Sequence, residues 1–269
     1  KDTNPDFKLI HGNEIYLIDE TEVKNTNKYY HFLLLAKDLI GWHQICQLSS
    51  RAWGRGYFER GIMRTPTTYQ DVEEIIGANP GHIIASSACL GGFAATCILD
   101  GQKTELNKFT RWCINVFGKD NFYVELQPSA SQEQIKVNKV LISLADFYNI
   151  EYIITTDSHY LDKEDFDIHS SFLNSKKVGE RETEKFYRFT YLMSEDEMRD
   201  ILLSSGLTQE QISRGFRNTV KISNSIEHID FRHSTIVPAL HLPEFEVKHL
   251  MTDYYEQYPL IKHYANSKY

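Results

Sequence analysis

Cysteine is scarce in this 269-residue sequence, and its four copies (Cys46, Cys89, Cys97 and Cys113) form no CxxC pair. That pattern argues against a disulfide scaffold and fits reduced thiols in a cytosol. No apolar run approaches the ~18 residues that span a bilayer, so no membrane partner is expected. The opening stretch, Lys1 to Asp6, is polar and charged and has no signal-peptide pattern. Basic charge is also lacking, since the formal net charge is -8. A small domain that lives by gripping nucleic acid is usually basic. Any DNA contact must therefore be local or supplied by another part of a larger protein. What is present, 41% hydrophobic and 25% charged residues, is an ordinary globular composition. The length suits one large domain, or one domain plus an appendage.

The order along the chain is apolar strand, polar turn, amphipathic helix, repeated. Strands are expected at Phe7–Ile18, His82–Ser87, Phe122–Leu126 and Tyr152–Thr156, and helices at Val72–Ile76, Gly92–Asp100, Glu105–Phe117 and Gln132–Tyr148. The last helix carries Ile135, Val140, Leu141, Leu144 and Phe147 near one another as a stripe. The runs at His82 and Tyr152 are short, β-branched and nearly continuous, as in strands buried on both faces. Such alternation predicts an α/β fold with a parallel sheet or barrel. Beyond Ser194, helices are expected at Ser194–Ser204, Thr208–Glu227 and Thr252–Tyr264, the first opened by a Ser194/Glu197 capping box. Pro238 and Pro243 mark an extended linker.

Ligand sites of α/β folds gather at the carboxyl ends of strands. Four places put polar residues there: Glu14, Cys89 before Leu90-Gly91-Gly92, Glu125, and Asp157 with His159. In a strand, Asp157 and His159 would face one pocket together. A carboxylate and an imidazole converging there suit zinc, manganese or iron. The competing reading, commoner for an isolated D-x-H, is a polar turn with Asp157 as a cap. Cys97 and Cys113 sit in helical stripes as core fillers. Cys89 differs because two glycines follow it and allow close backbone approach. His31 precedes Phe32-Leu-Leu-Leu-Ala36 at an expected helix start. Arg51, Arg55, Arg60 and Arg64 are interleaved with Trp53, Tyr57 and Phe58 in an expected long loop. They could contact single-stranded nucleic acid; the acidic whole favours their pairing with nearby acids instead.

Six of these segments, in order, resemble one family. Phe7-Lys-Leu-Ile-His-Gly-Asn-Glu14-Ile-Tyr16 and His31-Phe-Leu-Leu-Leu-Ala-Lys37 are similar to the glutamate strand and the histidine-led segment of the PHP domain of bacterial and phage DNA polymerase III alpha subunits. Ile84-Ala-Ser-Ser-Ala-Cys89-Leu-Gly-Gly92 and Phe122-Tyr-Val-Glu-Leu-Gln127 resemble its "ALSGCLGG" and "FYLELQ". Thr155-Thr-Asp157-Ser-His159-Tyr-Leu161 and Phe189-Thr-Tyr-Leu-Met-Ser-Glu-Asp-Glu-Met198 resemble its "TNDVHYL" and "FYLKSPEEM". The resemblance implies a distorted (β/α) barrel lacking its first strands at residues 1–193, then a helical segment and linker at 194–269 leading toward a polymerase palm. It implies Glu14, His31, Cys89, Asp157 and His159 as ligands of up to three divalent ions, usually zinc, with Glu125 outside the ligand set. The family's upstream H-x-H strand has no counterpart here. For the parent protein it implies a cytoplasmic DNA polymerase working with magnesium, DNA and other replisome subunits, its PHP module phosphoesterase-like. Two other readings stand beside it: a free-standing PHP phosphoesterase on a small phosphate ester, and a non-catalytic scaffold with a decayed site.

Overall fold

The computed structural model describes residues 7–19, 29–59, 62–175, 187–232, 234–235 and 256–258. Arg60, Pro238, Pro243 and most of the helix expected at Thr252–Tyr264 lie outside them. Two compact units are distinguished, Lys1–Ile229 and Asp230–Tyr269; all elements named below belong to the first.

Six strands make one mixed sheet. They are β1 (Gly12–Ile18), β2 (Tyr30–Ala36), β5 (Pro66–Thr68), β6 (Ile83–Ser86), β7 (Phe122–Leu126) and β8 (Glu151–Ile154), in the spatial order β5-β1-β2-β6-β7-β8. β2 runs antiparallel to both its neighbours, whereas β1–β5, β6–β7 and β7–β8 are parallel pairs. A small hairpin, β3 (Tyr57–Glu59) with β4 (Ile62–Arg64), stands apart. The expected α/β class is the one observed.

One face of the sheet carries Ile15, Leu17, Phe32, Leu34, Ile83, Ala85, Phe122, Val124, Tyr152 and Ile154 into the main core. Helices α1 (Leu39–Gly54), α3 (Phe93–Leu99), α4 (Lys103–Phe117) and α5 (Gln132–Tyr148) bury their apolar stripes there. A short α2 (Tyr69–Val72) continues as one π-type turn over Glu73–Gly77. After β8 come α6 (Phe166–Asn174), α7 (Glu195–Ser204) and α8 (Gln209–Ser225). The Ser194/Glu197 capping box forms at α7 as expected.

Period-two alternation fixes what the opposite face holds. The paired positions are Tyr16 with His31, Leu33 with Ser86, Ser86 with Tyr123, and Glu125 with Ile153. This face therefore presents Glu14 and Tyr16, then His31, Leu33 and Leu35, then Ile84 and Ser86, then Tyr123 and Glu125, then Ile153 and Thr155. Its apolar end, with Leu35, Ile84, Tyr123 and Ile153, is covered by Ile222 and Ile226 at the end of α8. Its polar end lies at the carboxyl ends of β6, β7 and β8, where α/β folds place ligands.

Helix α8 also protects the sheet. β8 is an outer strand, and Asn218 Nδ2 donates to the Tyr152 carbonyl at 2.8 Å while Thr219 Oγ1 donates to that of Ile154 at 3.4 Å. Gly215 permits the approach, since a Cβ there would lie 2.6 Å from Ile154 Cδ1. Covering an edge strand in this way removes a template for pairing with other chains.

Two expectations are corrected. His31–Ala36 is a strand, not the start of a helix; Phe32, Leu34 and Ala36 are buried while His31, Leu33 and Leu35 are half-buried. The helix begins at Leu39, where Asp38 caps it by accepting from the Gly41 amide. The segment Arg51–Arg64 is not a long loop; it comprises the last turn of α1 and the β3–β4 hairpin.

Candidate metal centre

Glu14 and His31 meet because β1 and β2 are neighbours and their side chains share a face. His31 lies opposite Tyr16, one diagonal step from Glu14. Their carboxylate Oε1 and imidazole Nδ1 are 2.5 Å apart, and both side chains remain partly open to solvent. Cys89 arrives from the turn after β6, with Sγ 3.5 Å from His31 Nδ1.

The turn that delivers Cys89 is tightly drawn. His31 N donates to Gly91 O at 3.0 Å, Gly92 N to Cys89 O at 2.9 Å, and Gly91 N to Cys89 Sγ at 3.4 Å. A Cβ on Gly92 would sit 2.3 Å from the Ser87 carbonyl oxygen, so only glycine fits. Ala88 adopts φ 56°, a left-handed conformation unusual for a residue with a side chain. Among the described residues, the donor atoms of Glu14, His31 and Cys89 lie within 4.8 Å of one another. Carboxylate, imidazole and thiol are the donor types of zinc and related ions, so the set fits such a metal.

Electrostatics link two more residues to this group. The His31 hydrogen bond holds Glu14 below the usual carboxylate range, with the nearby His31 and His159 imidazoles assisting against burial. In return, the Glu14 hydrogen bond raises His31, helped by the charge of Asp157. Burial pushes the Cys89 thiol up to about 12, with nearby Asp157, Glu14 and Glu125 adding to the effect. Asp157 is raised chiefly by burial, and a hydrogen bond with Cys89 is among the influences opposing that rise.

Asp157 and His159 come to the site by a route other than the expected one. β8 ends at Ile154, and Asp157 sits in a left-handed turn with φ 49°. Strand alternation therefore does not orient the pair; the turn does. His159 Nδ1 lies 2.6 Å from the Asp157 carbonyl. An Nδ1–H donated to that oxygen leaves Nε2 with its lone pair free to act as a ligand. His169 of α6, which the sequence did not single out, packs against His159 with ring centroids 5.8 Å apart.

The arginines divide. Arg51 contacts Glu74 at 2.6 Å and Asp71 at 3.3 Å. Arg55 grips both oxygens of the buried Asp71. Arg64 lies over the Tyr29 and Tyr16 rings, 4.8 and 5.6 Å from their centroids, and lines a cavity with His31 and Gly91. A second cavity, of about 390 Å³, runs from Glu14 and His31 to Trp53, a residue 60% exposed. Neither cavity was legible beforehand, because its walls come from separate strands and helices.

Residues 2–129 match the family model described as the PHP domain. "Probable DNA polymerase YorL" of Bacillus subtilis (strain 168) and "DNA-directed DNA polymerase" of Bacillus phage SPbeta are each 41% identical over 99% of this chain and 22% of their own length. "DNA polymerase III subunit alpha" of Thermus aquaticus is 30% identical over 83% of this chain and 18% of its own. The chain thus spans about a fifth of the length of these curated relatives.

Proposed function

This chain carries a PHP domain homologous to DNA polymerases, and on that premise we propose that it is the metal-dependent, phosphoesterase-like module of a larger replicative DNA polymerase. The observation that carries the reading is the convergence of Glu14, His31 and Cys89 from three separate segments onto one point. PHP domains are metal-dependent, and these three residues would hold the ion. Asp157 and His159 would complete the set. In support, both lie close enough to shift the titration of Glu14 or His31. The mixed oxygen, nitrogen and sulfur donors favour zinc, with manganese or iron as alternatives.

A divalent ion there would neutralise phosphate charge and act as a Lewis acid on a phosphodiester. The chain's own groups prepare the place. Glu14 orients the His31 ring through its hydrogen bond, and the Asp157 carbonyl fixes the tautomer of His159. Among the arginines, Arg64 keeps the proposed nucleic-acid contact, because it borders the cavity that contains His31. DNA polymerisation itself, with its magnesium, DNA and replisome partners in a cytoplasm, is proposed for the longer parent protein.

Cobalt(II) titration of the metal-free chain tests the site. We expect a thiolate-to-cobalt absorption band in the wild type that Cys89→Ser abolishes. Asp157→Asn and His159→Ala should weaken binding at least ~10-fold. A wild-type chain that gives no band, or a Cys89→Ser variant that keeps it, would overturn the assignment.

A further inference from the structure

Glu125 is buried, 6% exposed, in the middle of the polar end of the sheet. Burying a carboxyl group is costly unless hydrogen bonds compensate. Here both oxygens are occupied. Oε2 accepts from Ser86 Oγ at 2.6 Å, and Oε1 accepts from Thr155 Oγ1 at 2.5 Å and Gln127 Nε2 at 3.1 Å. The Glu125 amide donates to Ser87 Oγ at 3.0 Å. Ser86 ends β6 and Thr155 directly follows β8, so one side chain on β7 ties the ends of both neighbouring strands together.

What those partners lead to gives the arrangement its meaning. Ser86 Oγ accepts from the Ala88 amide at 3.3 Å, one residue before Cys89. Thr155 stands two residues before Asp157. Each of the two turns passes through a left-handed residue with a side chain, Ala88 at φ 56° and Asp157 at φ 49°. Such conformations are strained and persist where the surroundings hold them. A carboxyl group can accept on both sides at once, whereas an amide offers one acceptor and one donor.

We infer that Glu125 is a positioning residue: through Ser86 and Thr155 it holds the Cys89 and Asp157 turns at the separation a shared metal ion requires. It contacts neither the ion nor the substrate. The inference rests on the reading that the site takes a metal through Cys89.

The test uses cobalt(II) alone as the probe, on the metal-free 269-residue chain. Glu125→Gln should bind cobalt ~10–100-fold more weakly, the range expected when an outer partner of a ligand is lost. Its thiolate band per bound ion should also be smaller. Ser86→Ala cuts the arm to Cys89 and should reproduce the smaller band. Thr155→Val cuts the other arm and should weaken affinity while leaving the band intact. Val137→Ala, a cavity in the core on α5, controls for general loss of stability: if it lowers the thermal midpoint as much as Glu125→Gln yet keeps affinity and band, the effect of Glu125 is positional. Wild-type affinity and band in Glu125→Gln, or a control that loses both alongside it, would overturn the inference. Should Glu125→Gln fail to fold, the two single-arm variants decide, and unchanged binding in both counts against it. Failure of the metal reading itself is seen separately, in the wild type and Cys89→Ser.

Discussion

At the scale of single residues, Asp71 shows how a charge can be made to stabilise a fold from within. It is 3% exposed, caps α2 together with Thr68, and is gripped by Arg55. Burial alone would raise its carboxyl group; the hydrogen bonds from Arg55 and Thr68 outweigh this and hold it at about 2, against an ordinary 3.8. The folded value lies below the unfolded one, so the stabilisation is complete above pH ~4 and is lost as the pH falls through about 2. Asp71→Asn is expected to remove on the order of 2 kcal/mol at neutral pH and to flatten the acid limb of stability. Urea midpoints between pH 6 and 2 check this; an unchanged acid slope would refute it. Gly92 gives a steric counterpart. Gly92→Ala forces a methyl group against the Ser87 carbonyl and should cost at least ~2 kcal/mol, whereas Gly54→Ala, with open space around it, should stay within ~1 kcal/mol by thermal unfolding.

At the scale of elements, the helices were the more legible part of the sequence. The expected Gly92–Asp100, Glu105–Phe117 and Gln132–Tyr148 become α3, α4 and α5, because one-sided burial leaves a 3.6-residue period. β2 hides its strand character for the converse reason. Leu35 on its second face is covered by α8, so both faces of that end are apolar and no alternation survives to be read. The ligand candidates could be named from motifs, yet their meeting could not. Glu14 and His31 depend on strand register, and Asp157 is aimed by a left-handed turn that nothing in D-x-H announces. Ser86 and Thr155 stand in the family-like segments without a role of their own, being ordinary hydroxyls until β7 places Glu125 between them. Ile222, on the sheet-facing side of α8, is 5% exposed, and Ile222→Ala should cost ~2–5 kcal/mol in denaturant unfolding. A loss under 1 kcal/mol would show that α8 lies loosely on the sheet.

At the scale of the whole molecule, the charge of -8 limits what this chain can do with nucleic acid alone. Polyanion affinity comes largely from cations that displace phosphate counterions, and two of the described arginines are committed to Asp71 and Glu74. Single-stranded DNA is therefore expected to bind the isolated chain no tighter than ~10⁻⁴ M at physiological salt, the weak end of non-specific binding. Fluorescence anisotropy checks this, and binding at about 10⁻⁵ M or tighter would contradict it. His31 and Cys89 are 58 positions apart along the chain and meet only once β2 has paired with β6. Pairings between segments so distant are slow, because loop closure must precede any contact that rewards it. The donor set needs the drawn-in Cys89 turn as well as that pairing, and we expect this last docking to fall beyond the folding barrier. A bound ion would then leave the folding rate almost untouched and slow unfolding instead, acting as a latch on a door already shut.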